Sequence, residues 1–135
     1  MRITSAGYVG IGTTETHGFA FAVNGSAVAT SMTVKLYANW PDYVFKPEYH
    51  LPSLTEVKTY IDRNQRLPDM PSEAQVTKEG INLGEINTLL TKKVEELTLY
   101  LIEKDKAEKE ANEKIKDLQS QLNTLSRRLD QLANK

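Results

Sequence analysis

Three glycines near the amino terminus are the first residues whose spacing suggests chemistry. Gly7, Gly10 and Gly12 lie in Gly-Tyr-Val-Gly-Ile-Gly, and closely spaced glycines let a backbone approach a phosphate group. The spacing is G-x-x-G-x-G, whereas a dinucleotide-binding loop has G-x-G-x-x-G and opens a helix. No amphipathic helix follows here. We therefore interpret these glycines as relief of crowding between chains, or as turns between short strands, and we predict no cofactor.

The histidines give no basis for a metal or catalytic site. His17 and His50 are the only two, they lie in dissimilar segments, and the chain has no cysteine. Copies of His17 from several chains could meet on a symmetry axis, but exposed turn histidines are the simpler interpretation. Neither a Ser/His/Asp arrangement nor a thiolate site can be drawn. The sequence predicts no metal ion, no catalytic residue and no enzymatic activity.

An aromatic cluster is the remaining candidate site. Trp40, Tyr43, Phe45 and Tyr49 occur close together in a segment that also holds all five prolines. Aromatic side chains at a surface can bind a cell-surface glycan or protein, and they can equally pack one part of a protein onto another. Both interpretations stay open at this point.

Composition excludes two kinds of partner. The 17 Lys and Arg and 18 Asp and Glu give a net charge of -1, so no overall field attracts nucleic acid. The longest apolar run, Phe19 to Val23, is far shorter than the roughly 20 residues of a membrane span, so we expect no membrane insertion. A hydrophobic fraction of 39% is below the roughly 45–50% of globular domains. The chain is therefore expected to bury surface against copies of itself.

The elements change in character along the chain and divide it into three parts. Residues 1–39 are predicted to be β-rich, with alternating apolar residues on both sides of a hairpin turn at Asn24-Gly25. These residues are Phe19, Phe21, Val23, Met32, Val34 and Leu36. Residues 40–81 are predicted to form a collar of short helices, which begin at capping boxes at Ser53 and Ser72. Residues 82–135, after a third capping box at Asn82, contain no proline and are predicted to form one helix.

The long helix carries an apolar residue at two positions of every seven. This strict spacing would drift around a straight helix, so it predicts supercoiled helices, a coiled coil. This apolar stripe is interrupted at Lys104, Glu108 and Ala111. These residues are either a weak, solvated patch or part of a stretch whose charges set the register between chains. Leucine at both positions does not fit the pattern of dimeric coiled coils, so assemblies of three and of four helices both remain possible. The a positions are Asn87, Val94, Leu101, Glu108, Ile115, Leu122 and Leu129, and the d positions are Leu83, Leu90, Leu97, Lys104, Ala111, Leu118, Leu125 and Leu132.

Two sets of motifs resemble a known family. Val9-Gly-Ile-Gly-Thr-Thr14 followed by Phe21-Ala-Val-Asn-Gly25 resembles a repeat of phage tail fibres and bacterial fibre-like surface proteins. The second set resembles, in order and spacing, the C-terminal module of tail-fibre-domain proteins common in the Bacteroidetes. It comprises Trp40-Pro-Asp-Tyr-Val-Phe45, Leu51-Pro-Ser-Leu54, Leu67-Pro-Asp-Met-Pro-Ser72, Gly80-Ile-Asn-Leu-Gly-Glu85 and Glu95-Glu-Leu-Thr-Leu-Tyr100.

That module is similar in layout to the intramolecular chaperone of endosialidase-type tail spikes. The resemblance implies a homotrimer that nucleates fibre assembly, on a virion tail fibre or at a cell surface. The expected fold class is α+β and fibrous, with a β-rich fibre segment, a helical collar and a parallel trimeric coiled coil. Its core is the set of a and d residues above without Lys104, Glu108 and Ala111. The alternatives are a receptor-binding tip and a self-cleaving chaperone, but Ser31 with Lys35, the nearest pair, does not match the cleavage motif.

Overall fold

The computed structural model describes residues 1–35 and 40–134. Over these residues the protein is a small α+β protein with three helices, the last of them long, and a three-stranded sheet. It divides into two compact units, Met1–Val34 and Lys35–Lys135. The sheet lies in the first unit, and all the helices lie in the second.

The first unit is built on three very short strands, β1 (Arg2–Ile3), β2 (Val9–Ile11) and β3 (Phe21–Val23), in the order β1-β2-β3. β1 and β2 are antiparallel, with Arg2 opposite Gly10. Gly7 makes the turn between them at a φ of 81°, which a glycine adopts without strain. The glycine motif of the sequence therefore lies in the turn before β2, within β2 and directly after it.

The predicted hairpin at Asn24-Gly25 is wrong. β3 runs parallel to the earlier strand β2, and the chain crosses over between those two strands. The backbone N–H of Asn24 donates to Ile11 at 2.9 Å and its side chain to the Gly12 carbonyl at 3.3 Å, so Asn24 extends the pairing of β3. Met32 to Val34 form no strand, and Leu36 lies outside the described residues. The described residues after Asn24-Gly25 therefore give β3 no second strand to pair with, and β3 pairs with β2 instead.

The collar consists of a 3-10 turn, Asp42–Phe45, and two helices, α1 (Leu54–Asn64) and α2 (Glu73–Glu79). Both capping boxes predicted in the collar are confirmed. The Ser53 hydroxyl accepts from the N–H of Glu56 while the Glu56 carboxylate accepts from that of Ser53, and Ser72 and Gln75 repeat the arrangement. α2 ends at Gly80, as predicted, at a φ of 77°.

The third helix, α3, runs from Leu83 to Ala133. At 1.5 Å per residue its 51 residues extend about 75 Å. The Asn82 side chain caps it by accepting from the N–H groups of Gly84 and Glu85 at 2.9 and 3.3 Å. The reciprocal bond of a capping box is not formed, because Glu85 does not reach back to Asn82. None of the helices in the described residues is long and apolar enough to cross a membrane.

The apolar core formed by the described residues is small. Val44, in the 3-10 turn, is 1% exposed, and Pro41 beside it is also fully buried. This turn packs directly against α3, and the core of the second unit is therefore the contact between collar and helix. Most large apolar side chains remain exposed, including those along the seam.

Candidate oligomerisation interface

The predicted trimer-core residues line up along α3, and a single chain leaves them exposed. Their apolar side chains are between 48% and 69% exposed, and Asn87 is exposed among them. The three residues that interrupt the seam, Lys104, Glu108 and Ala111, are exposed as well. A stripe of this length on one side of a helix is much larger than the scattered apolar residues of an ordinary surface. We call it the seam. Its residues are those given by number as a and d positions above.

A second face of the same helix is covered by the collar. Ile86, Leu89, Lys93, Glu96 and Tyr100 follow each other at spacings of three and four, so they lie on one side of α3. All five are half-buried or buried, whereas the seam beside them is exposed. From Leu101 onward every described residue of α3 is exposed. The helix thus has two faces near its start and only the seam further along.

Polar contacts fix the collar to its face of α3. The Tyr49 hydroxyl donates to the carboxylate of Glu96, which is only 7% exposed. Lys93 donates to the same carboxylate at 2.8 Å. Asp69, in the loop before α2, accepts from Lys92 at 2.8 Å and from Lys93 at 3.3 Å. We call these five residues the collar clamp. They bring the segment after the 3-10 turn, the loop before α2 and about one turn of α3 to one point.

The charges within the clamp balance locally. The hydrogen bond from Lys92 holds the pKa of Asp69 below its usual value, with further help from Lys93. Burial on its own would lower the pKa of Lys92, but Asp69 outweighs it and the pKa is raised. Burial, and then the hydrogen bond to Glu96, raise the pKa of Tyr49, so the phenol stays protonated as a donor. The arrangement is that of a satisfied structural network.

A further contact lies one turn along the helix. The Tyr100 hydroxyl donates to the carbonyl of Pro52 at 2.6 Å, directly before the capping box of α1. Burial raises the pKa of this phenol as well. Tyr100 therefore ties the start of α1 to the last part of α3 that the collar reaches. Leu54 of α1 remains exposed and lines the same surface groove as Leu97 and Leu101 of α3.

The aromatic cluster is divided by the structure. Tyr49 is half-buried in the clamp, and its ring lies 5.8 Å from that of Tyr43 at an angle of 48°. Trp40 and Phe45 are 54% and 55% exposed. Of the four residues proposed as receptor contacts, Tyr49 thus packs the collar onto the helix, and Trp40 and Phe45 remain accessible.

The described part of the chain offers few candidate residues for a metal, catalytic or anion-binding site. Within it no three side chains of His, Cys, Asp and Glu come together in a way that could hold a metal ion. His17, at a φ of 50°, and His50 are both exposed. The two lysines of the clamp are already paired with carboxylates, so they are not poised to bind a further anion.

The sequence did not reveal the clamp. Lys92, Lys93 and Glu96 resemble the ordinary charged outer face of a helix, and Asp69 lies more than twenty residues away in a loop. The one usable signal was the spacing of Ile86, Leu89 and Tyr100, which shows that α3 has a second apolar face.

Comparison with known proteins found no matching family model, no matching curated protein and no matching solved structure.

Proposed function

We propose that this chain is the assembly module at the C-terminal end of a trimeric, tail-fibre-like or surface fibre protein. The observation that carries the proposal is the exposed seam of α3, a strict heptad stripe on a helix of about 75 Å. An isolated helix of this kind gains most of its stability from burying its apolar face. The seam has the pattern of a surface that other helices cover.

The collar leaves the seam free for that purpose. It packs on the face formed by Ile86, Lys93 and Tyr100 and does not cover Leu90, Val94 or Leu97. Each copy could therefore keep its own collar while its seam contacts other copies. The number three comes from the motif resemblance, since the heptads alone admit three or four strands.

The proposed role in folding follows from the difference between helix and strand formation. The strands of the first unit are two or three residues long, too short for independent stability. Helix formation is local and fast, whereas pairing between chains is slow because distant segments must first meet. Association of the long helices would hold the β segments at high effective concentration and align them for pairing.

Light scattering coupled to size exclusion tests the proposal on the whole chain. The expected mass is three times the 15.2 kDa of one chain. A double variant, Leu122→Glu with Leu125→Glu, places two charges on the seam and is expected to shift the protein toward monomer. The matched control, Asn123→Glu with Thr124→Glu, adds the same charge on the outer face and should leave the mass unchanged. A monomeric wild-type chain contradicts the proposal.

A second candidate function is receptor binding by the collar, which the exposure of Trp40 and Phe45 favours. The partner would be a cell-surface glycan or protein that packs on their rings. Trp40→Ala and Phe45→Ala should then abolish attachment to the host or target cell without changing the oligomeric mass. Tyr49→Ala is the contrasting variant, because it breaks the clamp. If the two exposed residues can be removed with attachment intact, this second function is excluded.

A further inference from the structure

Three polar side chains occupy a seam that is otherwise apolar. Asn87 and Glu108 are at a positions and Lys104 is at a d position, and all three are exposed in the single chain. If the seam is covered, each of them loses water. A buried polar group without a partner is strongly unfavourable, so the occupant of the seam must offer complementary groups at the same levels.

Lys104 and Glu108 are complementary to each other. They are four residues apart on one face, yet they form no ion pair within the described chain. Asp105 and Lys109 have the same spacing and do pair, at 2.7 Å. Lys104 and Glu108 thus remain available to another chain.

A second copy of this chain supplies what both charges need. The two residues are about 6 Å apart along the helix axis, within the reach of a lysine side chain across to a neighbouring helix. When copies align, Lys104 of one chain lies close to Glu108 of the next. A slip of one heptad instead places Lys104 of one chain level with Leu97 of the other, about 16 Å along the axis from that chain's Glu108, and leaves both of these buried charges unpaired, which is disfavoured.

Asn87 adds the direction of the helices. An antiparallel alignment can also pair Lys104 with Glu108, but it then places Asn87 opposite Leu125, where the amide has no partner. In a parallel, in-register alignment the Asn87 side chains of all copies meet in one layer. An amide both donates and accepts, so these side chains satisfy one another. A single Asn at an a position is a known determinant of register.

We infer that the seam selects further copies of this chain in parallel and in register, with Asn87 setting the direction and Lys104 with Glu108 opposing slippage. The inference rests on the proposed function and deepens it, because it names the residues by which the chain recognises its partner. Helices held in register are also what a fibre segment ahead of them would require.

Disulfide crosslinking tests direction cleanly because the chain has no cysteine. The variants are Leu90→Cys and Leu122→Cys, both in the seam, with Ser120→Cys on the outer face as a control for chance collisions. In a parallel, in-register assembly each seam variant crosslinks to itself on oxidation, because like positions fall within disulfide reach. In the antiparallel alignment residue 90 lies opposite residue 122, so crosslinks form only when the two variants are mixed. That result overturns the inference.

The role of Asn87 is tested by Asn87→Leu, with Asn123→Leu on the outer face as the matched control. The expected result is a midpoint of thermal unfolding several degrees higher together with loss of uniqueness. In the Asn87→Leu background the self-crosslink of Leu122→Cys should fall several-fold, and a mixed crosslink with Leu90→Cys should appear. An Asn87→Leu variant that crosslinks like the wild-type background removes Asn87 as the determinant.

The register role of the charges is tested by exchanging them. Lys104→Glu alone should lower the self-crosslink of Leu122→Cys several-fold, and combining it with Glu108→Lys should restore it. Failure of the double exchange to restore crosslinking overturns the pairing. These outcomes are distinct from failure of the proposed function, which appears as a monomeric mass for the wild-type chain.

Discussion

Truncation of Leu122 to alanine should weaken assembly by an amount that can be worked from its exposure. Leu122 lies in the middle of the distal seam, the part of the seam from Ile115 to Leu132, and is 67% exposed in the single chain. Complete burial of a leucine contributes about 1.5–3 kcal/mol, so covering the exposed two thirds contributes about 1–2 kcal/mol per chain. Three chains together lose about 3–6 kcal/mol, and the cavity left behind adds to the loss.

At 1.4 kcal/mol per factor of ten, this loss lowers the association constant about 10²- to 10⁴-fold. Sedimentation equilibrium over a concentration series measures the constant directly, and the midpoint of thermal unfolding of an oligomer also depends on concentration. Alanine is the best helix former, so the variant keeps α3 helical. Asn123→Ala, one position away and off the seam, is the control. If Leu122→Ala assembles as tightly as this control, the distal heptads do not form an interface and the reasoning fails.

Three predictions concern the collar clamp, each measured as the urea midpoint at fixed protein concentration. Asp69→Asn keeps the size of the side chain and tolerates the φ of 68°, but it removes the charge and should lower the free energy of unfolding by about 1 kcal/mol. The control is Asp62→Asn, in an exposed helical ion pair, which should lower it by less than half as much. Tyr49→Phe removes the donor to the buried carboxylate of the clamp and should cost about 1–2 kcal/mol, whereas Tyr43→Phe should be nearly neutral. Because the pKa of Asp69 is lowered, its contribution to stability is complete above the ordinary pKa of about 3.9 and is lost as pH falls through the lowered pKa. Because the pKa of Lys92 is raised, its contribution to stability is complete below the ordinary pKa of about 10.4 and is lost as pH rises beyond that value. Asp69→Asn should abolish the part of the acid sensitivity that comes from this ion pair, and an unchanged pH profile in that variant would count against the clamp.

The helices could be predicted because their signals are local. Ser53 and Ser72 begin α1 and α2 through bonds that span three residues, and the absence of proline after Asn82 leaves α3 uninterrupted. The seam follows from a seven-residue period that no other structure explains as simply. These features depend on interactions between residues that are close in sequence, so local patterns are sufficient to predict them.

The features that were missed depend on residues far apart in the chain. Asn24-Gly25 is a strong turn signal, yet Met32 to Val34 after it form no strand, and β3 pairs instead with β2, across a crossover that no local pattern predicts. The clamp likewise joins Tyr49 to Glu96 over 47 residues. A charged residue that ends up buried has the same appearance in sequence as one that faces water.

The two faces of α3 have a consequence for how the length of this protein can change. The collar face ends near Tyr100 and the distal seam starts at Ile115, and a continuous helix fixes the angle between them. One residue inserted between them turns the distal seam by about 100° relative to the collar, whereas seven residues turn it by only about 20°. Insertions and deletions in α3 between the collar face and the distal seam are therefore tolerated in steps of seven residues. Removal of residues 104–110 would delete both seam charges and leave the collar and the distal leucines in phase.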